Sequence, residues 1–89
     1  MKIEVLFFGR PRELTGSARK IVSIKEGAKL KDLFRLLDSL YDAKFTNDLQ
    51  RKEALIVMVN GRHYLSLDGP ETQLSDKDTV AIMPAVVGG

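Results

Sequence analysis

Leu30-Lys31-Asp32-Leu33-Phe34-Arg35-Leu36-Leu37-Asp38-Ser39-Leu40-Tyr41 decides how the rest of the chain folds. Leu30, Leu33, Phe34, Leu37, Leu40 and Tyr41 recur at the spacing of one apolar stripe on a helix. Lys31, Asp32, Arg35, Asp38 and Ser39 take the other side. The spacing predicts a helix over 29–41. Its start signal is poor, because Ala28 and Lys29 are weak capping residues, so packing of the stripe has to hold it. A single stripe can cover one face of one sheet. The segments on either side must supply that sheet.

Upstream, residues 2–8 alternate as a strand, with Ile3, Val5 and Phe7 on one face and Lys2, Glu4, Leu6 and Phe8 on the other. Gly9 and Pro11 end it, Pro11 to Leu14 form one helical turn, and Thr15-Gly16-Ser17 is a turn. Residues 19–25 are a second strand, with Val22 and Ile24 inward, joined to the first as an antiparallel hairpin. Downstream, 42–53 reads as a polar loop with a turn of helix anchored by Phe45 and Leu49. Leu55 to Val59 is a continuous apolar run, the signature of a strand buried on both faces. Asn60-Gly61 is a hairpin signal, Arg62 to Leu65 the returning edge strand, and Leu74 the anchor of a polar loop over 73–78. Thr79 to Met83 is the last strand, closed by Pro84. The first and last strands are expected side by side in the centre. The fold class is therefore α+β: a mixed sheet of four to five strands with one main helix packed on one face. Residues 1–84 form the domain and 85–89 a flexible tail.

Composition narrows the function. Eighty-nine residues make one domain with one modest core and little room for a deep catalytic pocket. Fourteen basic against twelve acidic residues are too balanced to predict nucleic-acid binding. Cysteine is absent, which removes disulfides, thiolate metal sites and a cysteine nucleophile. MKIEVLFFGR is neither a signal peptide nor a membrane span, so a cytoplasmic protein is the default. No nucleophile with a base, phosphate-binding glycine loop or two-carboxylate site is present. His63 has no partners at metal-ligand spacing and reads as a solvated edge-strand residue. Arg10, Arg12, Arg19 and Lys20 read as a solvated basic rim, and Arg51, Lys52 and Glu53 as surface.

What remains is the ending, Val86-Val87-Gly88-Gly89. Two glycines carry no side chains, so such a tail is thin enough for a narrow channel. Five extended residues from Ala85 reach at most about 17 Å, enough to bring the Gly89 carboxylate into another protein's cleft. A carboxylate is inert until activated, so acyl transfer from Gly89 needs an ATP-using partner. If the strand alternation holds, Leu6, Phe8 and Met83 meet on the face away from the helix as an apolar patch, the mark of a partner surface. The opposing expectation is that the 42–53 loop folds over that patch.

Val5-Leu6-Phe7-Phe8-Gly9, Arg12-Glu13-Leu14-Thr15-Gly16 and Gly27 to Leu33 recur in order in a known family. So do Val59-Asn60-Gly61, Leu74 to Val80, and Met83 to Gly89. In these motifs the chain resembles the small subunit of molybdopterin synthase and the ubiquitin-like sulfur carriers, which include the archaeal small modifier proteins. The resemblance implies a β-grasp fold and a sulfur carrier. A partner enzyme would adenylate Gly89, sulfur would replace the AMP to give a thiocarboxylate, and the large synthase subunit would take the sulfur for molybdopterin. The chain would then be a co-substrate without catalytic side chains, binding no cofactor or metal, with ATP used by the partner. Phe8, Leu6, Met83 and Pro84 are implied as the partner interface, and Val86, Val87 and Gly88 as the tail. The family often has Ser or Thr at the position of Lys29 and an aromatic at that of Met83. Two alternatives use the same scaffold: a modifier joined through Gly89 to target lysines, with or without a tRNA-thiolation role, and a non-covalent adaptor.

Overall fold

The computed structural model describes residues 1–50 and 55–85. The first strand, β1 (Lys2–Phe7), runs into a short helix, α1 (Gly9–Thr15), and returns as β2 (Arg19–Ser23). The stripe forms α2 (Leu30–Tyr41), followed by α3 (Phe45–Gln50), and the chain returns as β3 (Leu55–Val59), β4 (Arg62–His63) and β5 (Thr79–Pro84). The sheet order is β2-β1-β5-β3-β4. β1 and β5 are parallel and adjacent, as the pattern requires, and the other neighbours are antiparallel. This is the β-grasp arrangement, with β5 in the middle.

One face of the sheet and the stripe of α2 make the core. Ile3, Val5, Phe7, Val22, Leu55, Val57, Val59, Val80 and Ile82 are buried beneath Leu30, Leu33, Phe34 and Leu37. The stripe is narrower than its spacing predicts: Tyr41 is only partly buried against the core, and Leu40, in the last turn, remains 52% exposed. The 42–53 segment does not cover the opposite face within the described residues. Phe45 is buried on the helix side, stacked on Phe7 at 6.3 Å and edge-on to Phe34 at 6.4 Å. Asp38 on α2 accepts from the Phe45 and Thr46 amides at 2.6 and 3.1 Å, which holds the start of α3 against α2.

Four further expectations are corrected. β3 is not buried on both faces: Leu55, Val57 and Val59 face the core, while Ile56 and Met58 are half-buried on the other side. The β4 strand stops after His63, because Tyr64–Ser66 winds into a 3-10 turn and drives the Tyr64 ring into the core. His63 is not simply solvated: its Nδ1 accepts from the Leu65 amide at 3.1 Å and its ring stacks on Tyr64 at 5.3 Å. The start of α2 is also better anchored than Ala28 and Lys29 suggest. Asp32 Oδ2 accepts from the Lys29 amide at 2.9 Å, and the Leu30 amide donates to the Thr72 carbonyl at 2.8 Å. Asp32→Ala is therefore expected to cost about 1 kcal/mol, the usual scale of a lost N-terminal cap, read as a lower urea midpoint.

Glu71 adds an acid-sensitive clasp beside that start. Its carboxylate bridges Lys29 at 2.7 Å and Lys31 at 2.6 Å, and their ammonium groups lower its pKa from 4.5 to about 2. A carboxyl depressed in the folded state stabilises above its unfolded value, and that contribution fades as the carboxyl takes up a proton. The clasp is thus whole above pH 4.5 and lost as the pH falls toward 2. Melting temperatures followed between about pH 5 and pH 2 should fall more steeply for the natural protein than for Glu71→Gln.

Candidate functional site

The face of the sheet opposite α2 is open among the described residues. Its chemistry follows from the register. Phe7 pairs with Ile82 and the Phe8 amide donates to the Ile82 carbonyl at 3.0 Å, so the same register carries Phe8 alongside Met83. Met83 pairs in turn with Ile56. Phe8, Met83 and Ile56 thus form one cross-strand row. The next row is Leu6, Ala81 and Met58, with Arg19 and His63 at its two ends. Phe8 is 47% exposed, and Leu6, Ile56, Met58, Ala81 and Met83 are half-buried, so the rows form an apolar surface open to solvent.

The third row is polar. Arg19 hydrogen-bonds Glu4, whose other oxygen accepts from Thr79 Oγ1 at 3.1 Å. The Arg19 hydrogen bond, then that of Thr79, holds the Glu4 carboxyl below its ordinary pKa. The continuous apolar rows therefore lie at the end of the sheet where β5 finishes, and Ile21, paired with Glu4, is an isolated exposed apolar residue on β2. Arg10 and Arg12 on α1 are exposed beside that end, and Lys20 is exposed on β2.

Pro84, the last residue of β5, pairs with Leu55 on one side and lies over Gly9 on the other. Gly9 has φ +59°, and a Cβ there would stand 2.8 Å from Pro84 Cγ and 2.9 Å from Cδ. Only glycine fits both the left-handed backbone and the approach. The chain thus leaves β5 from a fixed point on the rim of the apolar rows.

Leu6, Phe8 and Met83 therefore come together as the strand alternation predicts, and Pro84, which the resemblance implies, stands at their rim. Val86, Val87, Gly88 and Gly89, together with Arg51, Lys52 and Glu53, lie outside the described residues. Sequence reasoning missed Ile56, Met58 and Ala81. The available signal was the register itself: once β3 lies beside β5, every second residue of its apolar run must join Met83 on the open face. Among the described residues no group of three or more His, Cys, Asp or Glu side chains could hold a metal ion. No helix among them is long and apolar enough to cross a membrane.

Comparison with known proteins fits this geometry. The chain is 34% identical over 92 residues to small archaeal modifier protein 3 of Haloferax volcanii, with the whole of both chains covered. The solution structure of the Haloferax volcanii HVO 2177 protein superposes with a TM-score of 0.83 at 33% identity, over all of this chain and 87% of that one. A Pyrococcus furiosus protein assigned as molybdopterin converting factor subunit 1 superposes with a TM-score of 0.74 at 25% identity, over 96% of this chain and 98% of that one. The ThiS family model matches residues 5–89, and the chain belongs to the ThiS family of ubiquitin-like sulfur carriers and modifiers.

Proposed function

We propose that this protein presents the Gly89 carboxylate to an ATP-dependent adenylating enzyme and carries sulfur on it as a thiocarboxylate. The carboxylate attacks the α-phosphate of ATP, pyrophosphate leaves, and a sulfur donor then displaces AMP from the acyl adenylate. The chain has no thiol of its own, so sulfur has to reside on the terminal carbonyl. The observation that carries the reading is the pairing of two features at one end of the sheet. The apolar rows of Phe8, Met83, Ile56, Leu6, Ala81 and Met58 offer a docking surface, and β5 ends at Pro84 on its rim, four residues before Gly88. A partner gripping that face would have the tail within reach of its own active site.

The sulfur is passed to a molybdopterin precursor bound by a large synthase subunit. The likeness to the Pyrococcus furiosus converting-factor subunit supports this acceptor. A second reading is favoured by the 34% identity, over full length, to a small archaeal modifier protein: the Gly89 acyl group of the same adenylate passes to the ε-amine of a target lysine, AMP leaves, and an isopeptide forms. Both readings place the protein in the cytoplasm with its activating enzyme.

One experiment tests the shared step and two readouts separate the branches. The protein is incubated with ATP, an activating enzyme from the same genome and a sulfur donor, and its intact mass is measured. Exchange of one oxygen for sulfur at Gly89 is expected, and an unchanged mass with an enzyme proven active on another substrate removes the reading. Conversion of precursor to molybdopterin by the thiocarboxylate and a large subunit supports the carrier. Gly-Gly remnants on lysines of other proteins in extract support the modifier. Deleting Gly88 and Gly89 abolishes both.

A further inference from the structure

The two ends of the sheet are unequal. At one end β4 contributes only Arg62–His63 before the chain turns away. At the other, β2 offers five consecutive residues, Arg19 to Ser23, with no strand beyond them among the described residues. The hydrogen-bond phase shows which groups are free to pair. The Ile24 amide donates to the Met1 carbonyl at 3.0 Å, the Met1 amine donates to the Ile24 carbonyl at 2.8 Å, and the Phe7 amide donates to the Ala18 carbonyl at 2.9 Å. In an antiparallel pair such exchanges recur every second residue. The even-numbered residues of β2 therefore point their main-chain groups at β1. The amides and carbonyls of Arg19, Ile21 and Ser23 point outward, along an edge long enough to accept another strand.

Charge selects the occupant. Arg19, Lys20 and Lys25 lie along this edge with no acidic residue between them, and Lys2 reaches its far end to hydrogen-bond Ser23. Among the described residues Glu4 is bonded to Arg19, Asp76 Oδ1 accepts from the Lys2 amide at 2.7 Å and Asp32 acts on Lys25, which leaves Lys20 as the basic residue of this strand with no carboxylate bonded to it. Basic side chains on an open edge oppose pairing with an identical edge, because a second β2 would bring the same Arg and Lys residues alongside. An acidic strand meets the opposite sign. Between the charges, Ile21 is 44% exposed and offers one apolar contact.

We infer that the outer edge of β2 accepts, by strand addition, an extended peptide segment of a partner protein with an apolar centre and acidic flanks. Main-chain pairing with Arg19, Ile21 and Ser23 supplies the attachment, and the basic flank supplies the choice of partner. The site lies along the outer edge of β2 and meets the apolar rows only at Arg19, which pairs with Leu6. It would let the protein hold a second partner while Gly89 is engaged.

The test uses the full chain and the synthetic peptide DEVIVIDE, blocked at both ends, with the basic-ended KRVIVIRK as control. Backbone NMR of the labelled protein is recorded during titration. The expected result is that DEVIVIDE shifts the signals of residues 18–24 and slows exchange of the Arg19, Ile21 and Ser23 amides by about tenfold, while KRVIVIRK does neither. Lys20→Glu, an exposed change that leaves the β1 pairing in place, weakens DEVIVIDE binding by about fivefold to tenfold. Ile21→Pro removes an outward amide only, a position where an edge strand tolerates proline, and abolishes the exchange protection. Equal binding of the two peptides overturns the inference. So does a response centred on Phe8 and Met83, no response at millimolar peptide, or a peptide-free dimer through β2 in sedimentation. Because tail chemistry is not read in any arm, failure here leaves the Gly89 reading intact.

Discussion

Gly9→Ala is expected to lower stability by about 3 kcal/mol and the melting temperature by roughly 15 °C. Two independent costs add at this position. The left-handed backbone, φ +59°, charges any L-residue about 1–2 kcal/mol. The new Cβ would also stand 2.8 Å from Pro84 Cγ, closer than carbon atoms approach, so β5 or α1 must shift. Overpacking of that kind typically costs about 1–3 kcal/mol. Gly16 separates the two terms. It has φ +68° with nothing within 4 Å of its Cβ position, so Gly16→Ala should show the backbone cost alone, about 1 kcal/mol. Pro84→Ala in the Gly9→Ala background removes the two clashing ring atoms and leaves only Cβ, at 3.9 Å. The double variant should recover about 1–2 kcal/mol, a coupling that two unrelated sites would not show. Equal losses at Gly9 and Gly16 in urea melts would mean that Pro84 does not constrain Gly9. The point bears on function, because this contact fixes where the chain leaves the sheet.

The Gly9–Pro84 contact also shows where the sequence stops speaking. Ile3, Val5 and Phe7, and likewise Val80 and Ile82, could be placed inward from their alternation, because one buried face writes a period of two. β3 could not. Leu55 to Val59 is apolar throughout, and an open apolar face uses the same residue types as a second core, so the run alone does not distinguish them. Tyr64 read as strand because nothing local reveals that His63 Nδ1 will accept from Leu65 and turn the chain into the core. Asp38 read as a solvated helix residue, yet it caps α3 from seven residues away. Asp32 did carry a local signal: an acidic residue three positions past a helix start is half of a capping box, even when the first half is a lysine. Helix, strand order and the Leu6, Phe8 and Met83 grouping were thus legible. The width of the apolar face, and the clamp at its rim, depend on contacts between distant segments.

The width of that face sets the second large effect. Phe8→Asp is expected to lower kcat/KM for thiocarboxylate formation with the activating enzyme by about a hundredfold, about 3 kcal/mol, the scale of a central aromatic anchor. Stability should barely change, since the ring is 47% exposed and lies outside the core. Met83→Asp should act alike, because Met83 stands beside Phe8 in the row nearest the tail. The double variant should fall short of the sum, since both side chains serve one contact. The control is Leu40→Asp. Leu40 is as exposed, at 52%, but it belongs to α2 on the other layer of the fold, and its replacement should leave the rate within about twofold. A docking role further requires that the loss fall mainly on KM, because neither side chain touches the reacting carbonyl. If Leu40→Asp slows the reaction as much as Phe8→Asp, the partner does not grip the open face. If the loss falls on kcat with KM unchanged, the row does not dock the partner but acts in a later step, after the complex has formed.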